Sequence, residues 1–102
     1  MGHPLGFAIL ETLGGTRVIT QAEVDSTNVF TFDPDGAVRN LDLPAEADCA
    51  GIALFIANAG VVTEIITIRD DAAATVGTPD GAEAAYVWCD GVSWRGLVGV
   101  SS

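Results

Sequence analysis

The side chains capable of nucleophilic or acid–base chemistry are few and scattered. The chain has one histidine, His3, and two cysteines, Cys49 and Cys89. A nucleophile requires a base within hydrogen-bond reach, and the only imidazole lies near the N-terminus, where chains are commonly mobile. We therefore expect no catalytic residue and no enzymatic activity.

Metal and phosphate sites have equally little support. Zinc requires three or four Cys, His or carboxylate ligands at local spacing, which these residues do not supply. Turn carboxylates could offer oxygen ligands to calcium, but Asp more often shapes the turn itself. Gly14-Gly15 joins two predicted strands and opens no helix, unlike a phosphate loop. We predict no metal and no cofactor. The turn carboxylates in question are Asp33, Asp35, Asp70, Asp71, Asp80 and Asp90.

Aromatic side chains are the remaining candidates for binding. Trp88 and Trp94 flank Asp90-Gly91, a strong hairpin signal. Aromatics at such a hairpin stack on sugars or, more often, anchor a core or an interface. We take Phe55, Tyr86, Trp88 and Trp94 as candidate interface or ligand contacts.

The charge balance argues against two classes of partner. Fourteen acidic residues face four arginines and no lysine, which gives a formal net charge of -10 over 102 residues. Nucleic-acid binding depends on a basic surface, and attraction to anionic membranes depends on Lys/Arg clusters. We expect neither nucleic acid nor membrane as a partner.

The apolar content favours a protein partner. Hydrophobic residues make up 49% of the chain, although a domain of this size has limited interior. Some apolar surface should therefore face another protein.

Turn residues divide the chain into short β-branched or aromatic runs, which is the spacing of a β-sandwich or barrel. The predicted strands are Phe7–Leu13, Thr16–Gln21, Asn28–Phe32, Ala37–Leu43, Ile52–Ala57, Glu64–Arg69, Ala73–Val76, Ala84–Cys89 and Ser93–Val98. We predict an all-β fold.

The pattern within the runs assigns their faces. Leu41 and Leu43 alternate with polar residues, as on a strand with one wet face. Two other runs, 52–56 and 84–89, are apolar on both faces and should be central or lie in a subunit contact. The expected core residues are Leu43, Ile52, Leu54, Ile56, Ile66, Ile68, Tyr86 and Trp88.

The connections show turn chemistry. Asp33-Pro34-Asp35-Gly36 and Thr78-Pro79-Asp80-Gly81 each place Pro where φ is preset and Gly where a left-handed conformation is tolerated. Residues 45–48, after Pro44 and before Gly51, could form one helical turn. No longer helix is predicted.

Residues 1–6 have neither a cationic leader nor an apolar run, so the start resembles a flexible arm more than a targeting segment. Folding in a cytoplasm is the expectation. There, Cys49 and Cys89 should be reduced, since two buried small residues are more common than a disulfide bridge in that compartment.

From Leu41 onward the chain has a recognisable order of short motifs. They are Leu43-Pro44-Ala45-Glu46-Ala47-Asp48, Gly51-Ile52-Ala53-Leu54-Phe55-Ile56-Ala57-Asn58, Ile66-Thr67-Ile68-Arg69-Asp70-Asp71, Glu83-Ala84-Ala85, Cys89-Asp90-Gly91 and Trp94. This order resembles a module of tailed-phage virion proteins, which occurs in small head decoration proteins and in distal parts of fibres and spikes. The resemblance covers a little over half of the chain.

The resemblance implies a jelly-roll-like β-sandwich that trimerises on a capsid. The expectation is thus a single domain over residues 1–102 with about eight short antiparallel strands, on a virion surface. Its partners would be its own copies and the major capsid protein or another head protein. The first forty residues, outside the resemblance, would be a capsid-docking arm or the first strands. The alternative is a receptor- or carbohydrate-binding module of a head fibre or spike.

Overall fold

The structure, a computed structural model, describes residues 10–100. These residues form nine strands, one α-helix and a one-turn 3₁₀ helix at Glu46–Asp48. The strands are β1 (Glu11–Thr12), β2 (Arg17–Val18), β3 (Val29–Asp33), β4 (Arg39–Asp42), β5 (Ala53–Asn58), β6 (Ile66–Arg69), β7 (Thr75–Gly77), β8 (Glu83–Cys89) and β9 (Trp94–Val100), and the helix is α1 (Gln21–Ser26).

Through the first six strands the chain winds in a spiral and alternates between two sheets. β1, β3 and β5 lie side by side in a five-stranded sheet, and β2, β4 and β6 do so in a four-stranded sheet. The chain thus crosses from one sheet to the other after each strand. Neighbouring strands of successive circuits are parallel in both sheets. We call the β1–β6 arrangement the coil.

The last three strands reverse direction. β7 pairs antiparallel with β6, β8 pairs antiparallel with β5, and β9 forms a hairpin with β8. The five-stranded order is therefore β1-β3-β5-β8-β9 and the four-stranded order is β2-β4-β6-β7. The prediction of a mostly β, two-sheet fold is confirmed.

The predicted antiparallel, jelly-roll-like arrangement is wrong, because four strand pairs of the two sheets are parallel. Parallel neighbours need a crossover between them. Here each crossover passes through a strand of the opposite sheet. Both arrangements bury alternate side chains with the same period of two, so the apolar pattern did not distinguish them.

The core lies between the sheets, where one cluster of buried side chains joins every circuit. Five predicted core residues expose at most 1% of their surface, namely Leu43, Leu54, Ile56, Ile66 and Ile68. Ile52 is partly buried against the same cluster. The strand register stacks such residues directly, as in Leu41 beside Ile68.

A salt-bridge network covers the β1–β2 end of the coil. Arg17 pairs with Glu11 at 2.9 Å and with Glu23 of α1, and its guanidinium carbon lies 6.0 Å from the centre of the Phe32 ring. Glu11 and Arg17 take register positions beside Phe32 and Leu41, which are buried. Charged groups therefore occupy the inward positions of the outermost circuit, as polar caps do in stacked repeats.

Helix α1 was not expected from the sequence. It begins with a capping box, in which the Thr20 hydroxyl accepts from the Glu23 N–H and the Glu23 carboxylate accepts from the Thr20 N–H. Val24 alone of its residues is buried. The predicted helical turn at 45–48 is confirmed as the 3₁₀ helix, which starts one residue later.

The predicted turns differ in how they use glycine. Gly36 and Gly91 have φ of 85° and 92°, as left-handed turn positions do. In the Thr78–Gly81 turn the positive φ falls instead on Ala82, at 65°. Gly81 allows the turn to lie directly against the backbone of Val61 and Gly60, with which a Cβ at this position would collide.

No helix within residues 10–100 is long and apolar enough to cross a bilayer. The proposed arm, residues 1–6, and His3 lie outside the described residues.

Candidate functional site

The outer side of the five-stranded sheet carries three of the four aromatic candidates. Strand alternation turns Leu54 and Ile56 of β5 inward and Phe55 outward. In β8, Ala85 and Val87 point inward, so Tyr86 and Trp88 point outward. Phe55 pairs directly with Tyr86 across the two strands. We call the set Phe55, Tyr86 and Trp88 the aromatic face.

The three rings contact one another. Phe55 and Tyr86 have ring centroids 4.9 Å apart, and Tyr86 and Trp88 have centroids 5.3 Å apart. These separations lie within the range for attractive aromatic pairs. Phe55 remains 45% exposed and Tyr86 37% exposed, so mutual packing leaves much of the ring surface uncovered.

The register extends the aromatic face into an apolar row across the sheet. Val29 pairs with Phe55, Phe55 with Tyr86, and Tyr86 with Leu97. Leu97 is 65% exposed. Leu97 was not among the predicted contact residues, although the alternation of β8 and the Asp90-Gly91 hairpin would have placed it opposite Tyr86.

One ion pair borders the row. Arg95, paired with Trp88 in the register, donates to Asp90 at 3.1 Å. Hydrogen bonds from the Ser93 and Val92 N–H groups, with the Arg95 guanidinium, lower the pKa of Asp90 to about 2. The row from Val29 to Leu97 itself contains no ionisable carboxylate or base.

Trp94, the fourth candidate, lies apart from the aromatic face. It is buried on the inner side of β9, 6% exposed, and its indole N–H donates to the Pro44 carbonyl at 2.9 Å. Conversely, the prediction that Tyr86 and Trp88 belong to the core is wrong, because both face outward. The β8 run is apolar on both sides, and so its pattern did not specify which side was inward.

No family model, curated protein or solved structure matches the chain. The chemistry of the site therefore rests on its own geometry.

One group of carboxylates has the spacing of a cation site. Oxygen atoms of Glu46, Asp70 and Asp71 lie within 4.8 Å of one another. The largest single influence on the pKa of Glu46 is a hydrogen bond from its own backbone, which lowers it. The net pKa is nevertheless raised, because a hydrogen bond shared with Asp71, burial, and repulsion from Asp70 and Asp71 together outweigh that bond. Asp70 also caps its own turn, since one oxygen accepts from the N–H groups of Ala72 and Ala74.

Two other turn aspartates, Asp33 and Asp90, have backbone partners of the same kind. Asp33 accepts from the Asp35 N–H at 2.9 Å, and Asp90 accepts from Val92 and Ser93 at 2.9 and 2.7 Å. These bonds shape turns.

Both cysteines are buried and unbridged. The Cys49 thiol donates to the Gln21 side chain and the Cys89 thiol to the Glu46 carbonyl, each at 3.3 Å. Burial is the main cause that raises the pKa of Cys49, and a buried thiol with a raised pKa is a poor nucleophile.

A shallow open cavity of about 210 Å³ lies where the end of α1 meets the start of β5. Its walls include Asp25, Ser26, Thr27 and Asn28, together with Ala53. Ala53 pairs with Trp88, so the cavity adjoins the aromatic face. Hydroxyl, amide and carboxylate groups beside the half-buried Trp88 ring suit the recognition of a polar ligand more than covalent chemistry.

Proposed function

We propose that the chain is a non-catalytic structural protein of a phage virion, which decorates or cements the capsid surface by self-association and by docking to a head protein. The aromatic face carries this proposal. Its rings contact one another, Phe55 and Tyr86 are exposed and Trp88 is half-buried, and the buried side chains of β5 and β8 support them from behind. The phage context rests on the sequence resemblance alone.

The aromatic face has the composition of a protein interface. Interface centres are enriched in Tyr, Trp and Phe and depleted in charge. In a chain of net charge -10, a row without carboxylates is where another protein can approach with least repulsion. Each Å² of apolar surface buried there contributes roughly 25 cal/mol.

The proposed partners are further copies of the chain, as a homotrimer, and the major capsid protein or another head protein. Since the acidic residues lie outside the apolar row, they keep the unassembled protein soluble. Burial of the row then provides the drive for assembly.

Native mass and light scattering test the self-association. We expect the native mass of a trimer, or of two trimers where a second contact joins them, and Trp88→Ser should reduce that mass to one third, because the substitution removes a large outward ring and leaves the core intact. Val62→Ser is the matched control, since Val62 is a loop residue 65% exposed, and it should leave the mass unchanged. A wild-type monomer at high concentration would contradict the proposal.

Capsid docking is tested by co-sedimentation with purified phage heads that lack decoration. Wild type and Val62→Ser should sediment with the heads, and Trp88→Ser should remain in the supernatant. Equal sedimentation of all three proteins would argue against docking through the aromatic face.

A carbohydrate-binding module is the second candidate, favoured by the cavity beside Ala53. Sugars stack their apolar faces on aromatic rings, while Asp25, Thr27 and Asn28 could bind hydroxyls. On a glycan array, this function predicts binding that Trp88→Ala abolishes while Val62→Ala retains it. An array without binding would exclude the glycans it displays.

A further inference from the structure

Strand β9 differs from the other edge strands of the two sheets. β1 and β2 have two residues each, and β7 has three, with a register irregularity in its pairing to β6. Short or irregular edges resist pairing with other chains. β9 has seven residues and only one charge, Arg95. It is the one edge strand within residues 10–100 that lacks such protection.

Among the described residues, 10–100, nothing pairs with the backbone of β9 on its outer edge. The Cys89 N–H donates to Ile52 at 2.9 Å, and the Cys89 carbonyl accepts from Gly51, so Cys89 bonds on the β5 side. Antiparallel alternation then turns Trp88, Tyr86 and Ala84 toward β9. Their partners are Arg95, Leu97 and Gly99.

The intervening residues of β9 therefore direct their N–H and carbonyl groups away from β8. These residues are Trp94, Gly96, Val98 and Val100. No hydrogen bond to this edge is present within residues 10–100.

The second half of β9 is also exposed on both faces. Leu97 points to the outer side and is 65% exposed. Val98 and Val100 point to the inner side, yet they are 41% and 82% exposed. The short β7 lies against Gly96 and Val98, and the high exposure of Val100 shows that the inner face of the sheet is uncovered at this residue.

We infer that two copies of the chain pair through β9, antiparallel and centred on Leu97, so that their five-stranded sheets join into one. This register places Trp94 opposite the partner's Val100 and Gly96 opposite the partner's Val98, which are the residues with available backbone groups. Leu97 lies opposite the partner's Leu97. The apolar row of each copy then continues across the joint.

The sequence of β9 is self-complementary in this register, which favours a second copy over an unrelated strand. Two large side chains of each copy lie opposite glycines, Val98 opposite Gly96 and Arg95 opposite Gly99, and Leu97 packs against its own copy. Arg95 does not face its own copy, and the strand contributes no carboxylate. Opposite like charges, which destabilise strand pairs, are thus avoided.

The inference is independent of the proposed function. A trimer held by the aromatic face would be joined to a second trimer through β9, whereas a protein with no such trimer would form a dimer. Both cases predict that losing the β9 pairing halves the native mass, while Trp88→Ser tests the aromatic face separately.

Disulfide trapping tests the register. Directly opposite residues that do not exchange hydrogen bonds have Cα atoms about 4.5 Å apart, within reach of a disulfide. Leu97→Cys should give a covalent dimer on mild oxidation. Gly99→Cys is the control, because its position faces Arg95 of the partner and a Cβ there meets nothing within 4 Å. Equal or no trapping of the two variants would overturn the register.

Native mass tests the pairing itself. Val100→Lys should halve the mass by placing a charge at the joint. Val92→Lys is the matched control, since Val92 is 80% exposed in the β8–β9 turn and Val100 is 82% exposed, and it should behave as wild type.

Val98→Pro removes an outward N–H and keeps the bonds to β8, so it should also halve the mass with an unchanged circular dichroism spectrum. Unchanged mass for both Val100→Lys and Val98→Pro, or a wild-type monomer, would overturn the pairing. Two acidic copies repel each other, and salt screens exposed charges. The dissociation constant of the β9 pairing should therefore fall as the NaCl concentration is raised.

Discussion

Arg17 is the side chain on which one end of the molecule depends. Its guanidinium holds two carboxylates, Glu11 and Glu23, and lies near the Phe32 ring. The hydrogen bond from Arg17 is the main cause that lowers the pKa of Glu23 to about 2. Planar, multidentate contacts of this kind are specific to arginine.

Arg17→Ala should destabilise the protein, by about 1–2 kcal/mol, because two carboxylates lose their partner and Phe32 loses its cover. Arg17→Lys should recover only part of this loss, since an ammonium cannot bind both carboxylates bidentately. Urea denaturation measures the change. A loss below a few tenths of a kcal/mol would show that the network is only a weak surface ion pair.

At the scale of the strand, alternation separates a core position from a surface position one residue apart. Leu54 is fully buried, whereas Phe55 is 45% exposed. Leu54→Ala should cost roughly 2–5 kcal/mol of unfolding free energy, and Phe55→Ala less than about 1 kcal/mol. Thermal or urea melts of the two variants measure this, and similar losses would mean that the register of β5 is different.

A matched pair of glycine variants tests the approach of the Thr78–Gly81 turn to the Val61 loop. Gly81→Ala should lower the melting temperature strongly, because its methyl would collide with the backbone of Val61 and Gly60. At Gly15 a Cβ meets nothing within 4 Å, so Gly15→Ala should have little effect. Equal melting temperatures would show that the two segments are not in contact.

The sequence located the strands better than it oriented them. Each of the nine observed strands overlaps one predicted run, because β-branched runs between turn residues are a local signal. Whether neighbours run parallel depends on crossovers through the opposite sheet, which local patterns do not encode. Helix α1 was missed because six mostly polar residues have little apolar periodicity. Its Thr20-to-Glu23 capping box was the readable signal.

The candidate site was predictable in its residue types and not in its geometry. Phe55, Tyr86 and Trp88 were singled out because large aromatics anchor interfaces, and the structure places them together. Trp94 has the same chemistry but the opposite side of its strand. In runs that are apolar on both faces, side chains alone do not define the inward side.

For the whole molecule, acid should be destabilising below about pH 4. The pKa values of Glu23 and Asp90 are lowered to about 2 in the folded protein, from ordinary values of 4.5 and 3.8. Their stabilising contribution is present above the ordinary values and is lost as pH falls toward 2. Melting temperatures between pH 7 and 2 measure this, and constant values from pH 5 to 2.5 would contradict it.

Acid changes the contribution of Glu46 to stability in the opposite direction. Its pKa is raised in the folded protein, so its ionised form disfavours folding and its effect is relieved as pH falls. Glu46→Gln removes this contribution. The melting temperature of the variant should therefore fall more steeply with decreasing pH than that of wild type.

The coil also dictates an order of events during folding. Strand β1 has no parallel neighbour until the chain has completed a full circuit and returned as β3, so most pairing must wait for distant segments to meet. Within residues 10–100, the pairs of strands that form hairpins are β6–β7 and β8–β9, and hairpins close in about 1–10 μs. The same β9 that offers its outer edge to a second molecule is thus ready early, before the coil behind it is complete. At high protein concentration, refolding should therefore compete with intermolecular strand pairing, and the recovered yield should fall with concentration for wild type more than for Val100→Lys.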